Sequence, residues 1–216
     1  PKLPLLDKVK FISIFFSNLD EFYMIRVSGL KEQISANIIE PTIDGLTPMA
    51  EIKLIDKEVQ EMVNKVYDYW NNQLVPELKK NNIHILDFNE ISIEEKTVLN
   101  QYFYDEIYPI LTPLAFDPGR PFPYISNLSI SFAILVQKPG GEKHFARVKI
   151  PNIIPRLLKL DNIVKQKNGC KTTPCIKYVW VGDLIKENLY MLFPGYEVVN
   201  ANRFRIIRDT DLEIQE

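Results

Sequence analysis

One amide stands out for its surroundings. Asn18 lies in the stretch Ser17-Asn18-Leu19-Asp20-Glu21-Phe22, on a stripe shared with Phe11, Phe15, Phe22, Ile25 and Gly29. A primary amide carries two donors and an acceptor but no charge, and a buried one has to find partners. Those partners are groups of a neighbouring helix, which would make Asn18 a bridge, or they belong to a ligand. Toward a ligand, the amide can donate to a phosphate oxygen or pair with a base. Arg26 follows two turns later on roughly the same side. It suits either neutralising phosphate or pairing with an acid on the next helix. Asp20 and Glu21 read as solvated or helix-pairing groups rather than metal ligands.

A second set of charges lies in the later half, at Arg120, Arg147, Lys149, Arg156, Arg203, Arg205 and Arg208. Side chains alternate across a strand, so Arg147 and Lys149 share a face, as do Arg203 and Arg205. Rows of cations suit a polyanion, although charge on an outer strand face is usually only solvated. Asp209, Asp211 and Glu213 alternate too and read as a solvated strand end rather than a metal cluster. The two histidines, His84 and His144, have no recognisable catalytic partner. There is no Walker-type loop, no glycine-rich dinucleotide fingerprint and no kinase catalytic-loop motif. No catalytic set and no metal site assembles from these residues.

Composition narrows the classes. The 216 residues carry 46% hydrophobic and 25% charged side chains and a formal net charge of -2. That is ordinary globular composition, with no overall basic field to attract nucleic acid. No apolar run approaches the roughly 18 residues of a membrane span. Cys170 and Cys175 have no nearby histidine to complete a tetrahedral zinc site, and read as reduced thiols. A cytoplasmic location is expected, with peripheral membrane association left open.

Two long amphipathic helices must position Asn18 and Arg26. Leu5, Val9, Ile12, Phe16, Leu19, Tyr23, Val27, Leu30 and Ile34 recur in steps of three and four, predicting a helix over about 5–34. Its opposite face, Lys10, Ser13, Ser17, Asp20, Ser28 and Lys31, reads as solvated. Thr47-Pro48 with Glu51 in the first turn starts a second helix toward Leu78. The short connection predicts an antiparallel pair. Asn81-Asn82 breaks the pattern and places a domain boundary between 1–82 and 83–216.

Ile83–Leu86 reads as a strand, and the Ser92/Glu95 capping box opens a third helix. A proline-rich stretch then runs extended to Pro123. From Leu128 the period becomes two, predicting strands at 129–136, 145–150, 176–181, 196–199 and 203–207. Pro139-Gly140-Gly141 makes the first pair a hairpin, 155–158 reads as a helical turn, and 183–192 as a helix stopped by Pro194-Gly195. The expected fold is an all-α helical bundle followed by an α+β domain with an antiparallel or mixed sheet.

The stretch KVKFISIFFSNLDEFYMIRVSGLKEQI resembles the N-terminal signature of the first family of bacterial polyphosphate kinases. DGLTP, YFYDEIYPILTPLAFDPGRPFPYISNLS, FARVKIP, PRL and FRIIRDTDLEI follow in the family's order and span nearly the whole chain. Phe16 departs from the small polar residue usual before Ser17.

The resemblance implies a helical N-terminal domain and most of a head domain, which leads us to expect a piece of a longer enzyme. That enzyme moves the terminal phosphate of ATP reversibly onto a polyphosphate chain through a phosphohistidine. The resemblance also implies that Asn18 contacts ATP and that the head domain forms homo-oligomers. The phosphohistidine, the magnesium ligands and most nucleotide contacts are expected beyond Glu216, which leaves this chain alone inactive. ATP or ADP and polyphosphate are the expected partners, with Arg26, Arg120, Arg147, Arg203, Arg205 and Arg208 as candidate phosphate contacts. The rival reading is a non-enzymatic interaction module using exposed aromatics of Pro121-Phe122-Pro123-Tyr124.

Overall fold

The structure, a computed structural model, describes residues 3–41, 43, 45–116, 119, 124–164 and 175–209. It divides into two units, one taking in residues up to Leu78 together with those from Ile207, the other Lys79–Ile206.

The first unit is helical. Helix α1 (Leu5–Phe22) continues through a wide π turn (Tyr23–Val27) into α2 (Ser28–Ser35), so the predicted helix is one continuous rod. Asn37, at φ 55°, ends it in the left-handed conformation that asparagine tolerates, and the Ile38 amide caps the Gln33 carbonyl at 2.9 Å. Helix α3 (Pro48–Tyr69) starts as its sequence specifies, with Thr47 Oγ1 accepting from the Ala50 amide at 3.3 Å. A second π turn (Trp70–Leu74) leads into α4 (Val75–Lys80). Pro76 explains it: its ring cannot donate and clashes with a carbonyl one turn back, so the ladder widens there.

Cross-links show that the two rods run antiparallel. Lys8 pairs with Glu77 at 2.8 Å, Phe16 packs on Tyr67 with ring centroids 5.9 Å apart, and Arg26 pairs with Glu51 at 2.5 Å. The apolar core of this unit is small among the described residues: Val27, Leu30, Leu74 and Leu78 are buried, whereas Phe11 and Ile25 remain 56% and 61% exposed. The stripe expected to pack beside Asn18 is therefore largely open. The face expected to be solvated is partly covered, since Asp20 is buried and Ser28 Oγ donates to Asp209 at 2.5 Å.

The second unit holds two sheets. Strand β1 (Ile83–Leu86) pairs in parallel with β6 (Ile176–Trp180), and β5 (Leu157–Lys159) completes a mixed three-stranded sheet on the other side of β6. The second sheet is antiparallel, in the order β2-β4-β3-β7, from β2 (Pro113–Ala115), β4 (Lys143–Lys149), β3 (Ile130–Gln137) and β7 (Glu197–Arg205). The α+β expectation holds, with differences in detail. Residues 157–159 are strand rather than helical turn, because β6 offers them a ladder, and the short α6 (Leu160–Ile163) follows. The two final strands expected are one, β7, whose register shifts opposite Leu135 and Val136.

Helix α5 (Ile93–Tyr102) has the reciprocal capping box read from Ser92 and Glu95, with bonds of 3.1 and 3.2 Å. Helix α7 (Val181–Glu187) is shorter than the helix expected over 183–192. One continuous core, including Phe103, Phe132, Ile134, Val148, Val179 and Leu184, joins these elements.

Candidate functional site

Between α1 and α3 the helical unit leaves a groove of about 410 Å³ whose wall is almost wholly apolar. That volume lies within the roughly 300–1,000 Å³ usual for small-molecule sites. Phe15, Leu19 and Phe22 form one side, and Ile55, Val59 and Met62 the other. Three polar side chains also line it: Asn18, Glu51 and Glu58. The helical period explains the grouping, since 15, 18, 19 and 22 share one face of α1, and 51, 55, 58, 59 and 62 one face of α3.

Asn18 is exposed on this wall, and its amide makes no hydrogen bond to any described residue. The expected burial is thereby corrected, and of the two partners open for Asn18 in the sequence, a neighbouring helix supplies none among the described residues. Too few apolar neighbours close over the α1 stripe to bury it, so its donors and acceptor stay available.

Arg26 is committed elsewhere. Its Nε and Nη2 both donate to Glu51 Oε1, at 3.1 and 2.5 Å. Of the two roles open for it in the sequence, the structure gives the ion pair. Beside it the Tyr23 hydroxyl donates to Asp56 at 3.4 Å. Burial and the Asp56 charge raise the Tyr23 phenol above its ordinary value, so it stays a neutral donor. Glu51 was legible in the sequence only as a favourable first-turn residue. Its place on the groove depends on which face of α3 meets α1.

The cations of the α+β unit do not form one row. Facing residues of an antiparallel ladder share a face, and Arg147 faces Ala133 whereas Arg203 faces Phe132. Arg147 and Lys149 thus occupy the face opposite Arg203 and Arg205. Arg147 is buried, donating to Ser131 Oγ at 3.2 Å and to the Tyr124 carbonyl at 3.1 Å. Lys149 donates to Ser126 Oγ at 3.3 Å, and Arg156 to Asn152 Oδ1 at 2.7 Å. Arg203 pairs with Asp183 at 3.1 Å and lies against Gly182, where a Cβ would come within 2.7 Å of its guanidinium. Arg205 and Arg208 are also engaged by neighbouring groups. Arg120, the residues 121–123 of the candidate aromatic contact, Asp211, Glu213 and Cys170 lie outside the described residues.

His144 packs edge-on against Tyr196 with centroids 6.3 Å apart, and His84 sits within β1. Cys175 is a free thiol. Among the described residues no group of three potential ligands could hold a metal ion, and no helix is long and apolar enough to cross a membrane.

A helical unit bearing an open apolar groove, joined to an α+β unit with a mixed and an antiparallel sheet, is an architecture with known counterparts. The family model described as the polyphosphate kinase N-terminal domain matches residues 1–86, and the polyphosphate kinase middle domain matches residues 94–216. The chain belongs to the polyphosphate kinase family and corresponds to the N-terminal and middle domains of its members. A relative named polyphosphate kinase 1 from Chlorobaculum tepidum is 46% identical over 215 residues, covering 99% of this chain and 30% of the relative. The polyphosphate kinase of Thermosynechococcus vestitus is 39% identical over 220 residues, covering 100% of this chain and 29% of its own. The crystal structure of polyphosphate kinase from Porphyromonas gingivalis superposes with a TM-score of 0.81 at 26% identity, over 99% of this chain and 30% of that one. The chain thus spans about 30% of the length of these relatives.

Proposed function

We propose that this chain is the nucleotide-positioning part of an ATP:polyphosphate phosphotransferase. Such an enzyme reversibly moves the terminal phosphate of ATP onto a growing polyphosphate chain through a phosphohistidine. One observation carries the reading: Asn18, whose amide has no partner among the described residues, lies on the wall of an apolar groove. An aromatic base fits apolar walls, and the amide fixes its edge without charge. The contribution to catalysis is positioning, which makes up much of phosphoryl-transfer catalysis. Phosphate-binding charge, the phosphohistidine and magnesium are assigned to parts of such an enzyme other than these residues. Magnesium, when bound there, would neutralise phosphate charge. Polyphosphate contacts from Arg26, Arg147, Arg203, Arg205 or Arg208 would require those side chains to leave their present partners. Homo-oligomer formation through the α+β unit belongs to the same proposal, and sedimentation of the chain tests it.

Calorimetry with ATP is the deciding experiment. Weak heat that disappears in Asn18→Ala while helicity is retained supports the proposal. The interaction-module reading draws on the exposed Phe11 and Ile25. It gains if ATP gives no heat and a protein partner binds tightly. The isolated chain should form no polyphosphate from ATP.

A further inference from the structure

We propose that Arg147 and Lys149 bind a single phosphate group on one face of the antiparallel sheet of the α+β unit. The site is independent of the groove between α1 and α3.

Strand register places the pair. Arg147 lies level with Leu114, Ala133 and Asn202, and Lys149 level with Ser131 and Phe204. Facing residues of a ladder share a face, so these two rows hold two cations and no acid. The segment they hold, residues 124–129, carries no charge either. Arg147 Nη1 donates to the Tyr124 carbonyl at 3.1 Å, and Lys149 Nζ to Ser126 Oγ at 3.3 Å. Arg147 Nε donates to Ser131 Oγ at 3.2 Å. Every one of these acceptors is neutral, and neither cation forms an ion pair among the described residues.

Arg147 is only 4% exposed. A guanidinium withdrawn from water ordinarily meets an anion, because neutral acceptors fix its geometry but leave its charge uncompensated. Its remaining nitrogen, Nη2, has no described hydrogen bond, whereas every fully sealed side-chain nitrogen or oxygen among the described residues has a partner. Nη2 therefore still meets solvent. Lys149 is half-buried and uses one of its three ammonium donors. Residues two apart along a strand are separated by about 7 Å, so one phosphate can accept from both long side chains.

Size and charge select the ligand. The small exposure of Arg147 admits a compact anion, whereas a polymer laid along the face would have to displace Tyr124 or Ser131. A tetrahedral phosphate has oxygens for the guanidinium and the ammonium at once, which chloride lacks. Its source is free orthophosphate or the terminal phosphate of a larger compound.

Thermal unfolding in orthophosphate against chloride at equal ionic strength tests this, together with amide and guanidinium NMR of the isotope-labelled chain. Phosphate should raise the midpoint and shift the Arg147 guanidinium and the Lys149 amide in a saturable way. Lys149→Gln keeps a donor for Ser126 but removes the charge, and should weaken phosphate about tenfold. Arg147→Lys keeps the charge without the fork and should weaken it too. Asn18→Ala should bind phosphate as the wild type does. Tripolyphosphate titrated in parallel names the source: weaker binding than orthophosphate marks a site for the free ion, and tighter binding a site for a terminal phosphate. Equal midpoints in phosphate and chloride with unmoved Arg147 resonances overturn the proposal, as does undiminished binding in Lys149→Gln.

Discussion

The two units of this chain treat apolar surface in opposite ways. In the α+β unit a single core closes over both sheets, with Phe103, Phe132, Ile134 and Val148 essentially inaccessible. Its polar groups are also paired: Arg147 rests on Ser131 and Tyr124, and Asn188 donates to Asn100 at 2.9 Å. In the helical unit, leucine and phenylalanine side chains remain at the surface, and an amide in the groove wall has no partner among the described residues. Two antiparallel rods touch along one seam, so the rest of each apolar face stays open. A unit that leaves surface unsatisfied has affinity to spare for a ligand. The α+β unit exposes apolar side chains too, Ile93 and Ile153 among them, but it surrounds a continuous buried core, and that core supplies stability.

Substitutions sharpen that contrast. Phe132→Ala in the closed core should cost about 3–5 kcal/mol, read as a lower denaturation midpoint. Loss of stability below about 1 kcal/mol would mean that this core is not what holds the unit together.

Glu95→Ala should cost about 1–3 kcal/mol, because it removes one half of a capping box and the partner of Lys177 at 3.0 Å. The same carboxyl gives a pH signature. Burial pushes its pKa up, but hydrogen bonds from Lys177 and Ser92 outweigh burial and hold it below its ordinary 4.5. A carboxylate depressed by folding stabilises fully above the unfolded value and loses that contribution as pH falls through the folded one. Wild-type stability should therefore drop below about pH 4.5, and the Glu95→Ala variant should show a smaller drop. Equal acid sensitivity of the two proteins would remove Glu95 from the account.

Gly182→Ala tests a gentler contact. The added methyl must displace the Arg203 guanidinium and with it the partly exposed pair to Asp183. The expected cost is about 0.5–1 kcal/mol, and a double mutant with Arg203→Ala should show little further loss. Asn18→Ala should be the smallest in stability, within about 0.5 kcal/mol, because the amide is exposed and has no partner among the described residues. Marked unfolding by Asn18→Ala would erase the contrast between the units, since it would reveal a structural amide.

Much of this architecture is local and therefore legible in the chain itself. The Thr47-Pro48 start, the Ser92/Glu95 box and the change of period near Leu128 each act within a few residues, and each marks the element found there. Asn18 was conspicuous for the same reason, being an amide in an apolar rhythm. Its setting was not legible. Helical periodicity gives the face a residue occupies, but not how much of the opposite rod covers that face. The open groove, the attachment of Arg26 to Glu51 and the burial of Asp20 depend on how α1 meets α3. The arginine rows failed for a related reason. Alternation assigns faces within a strand, whereas the register between β3, β4 and β7 decides whether two strands' faces coincide. Sequence by itself determined most elements and their order, because helical periodicity and capping are short-range, but it missed the strand at 157–159 and the continuity of β7, which depend on ladders to distant strands. The tertiary structure alone decided which side chains remain unpaired, because that is settled by contacts between residues far apart in the chain.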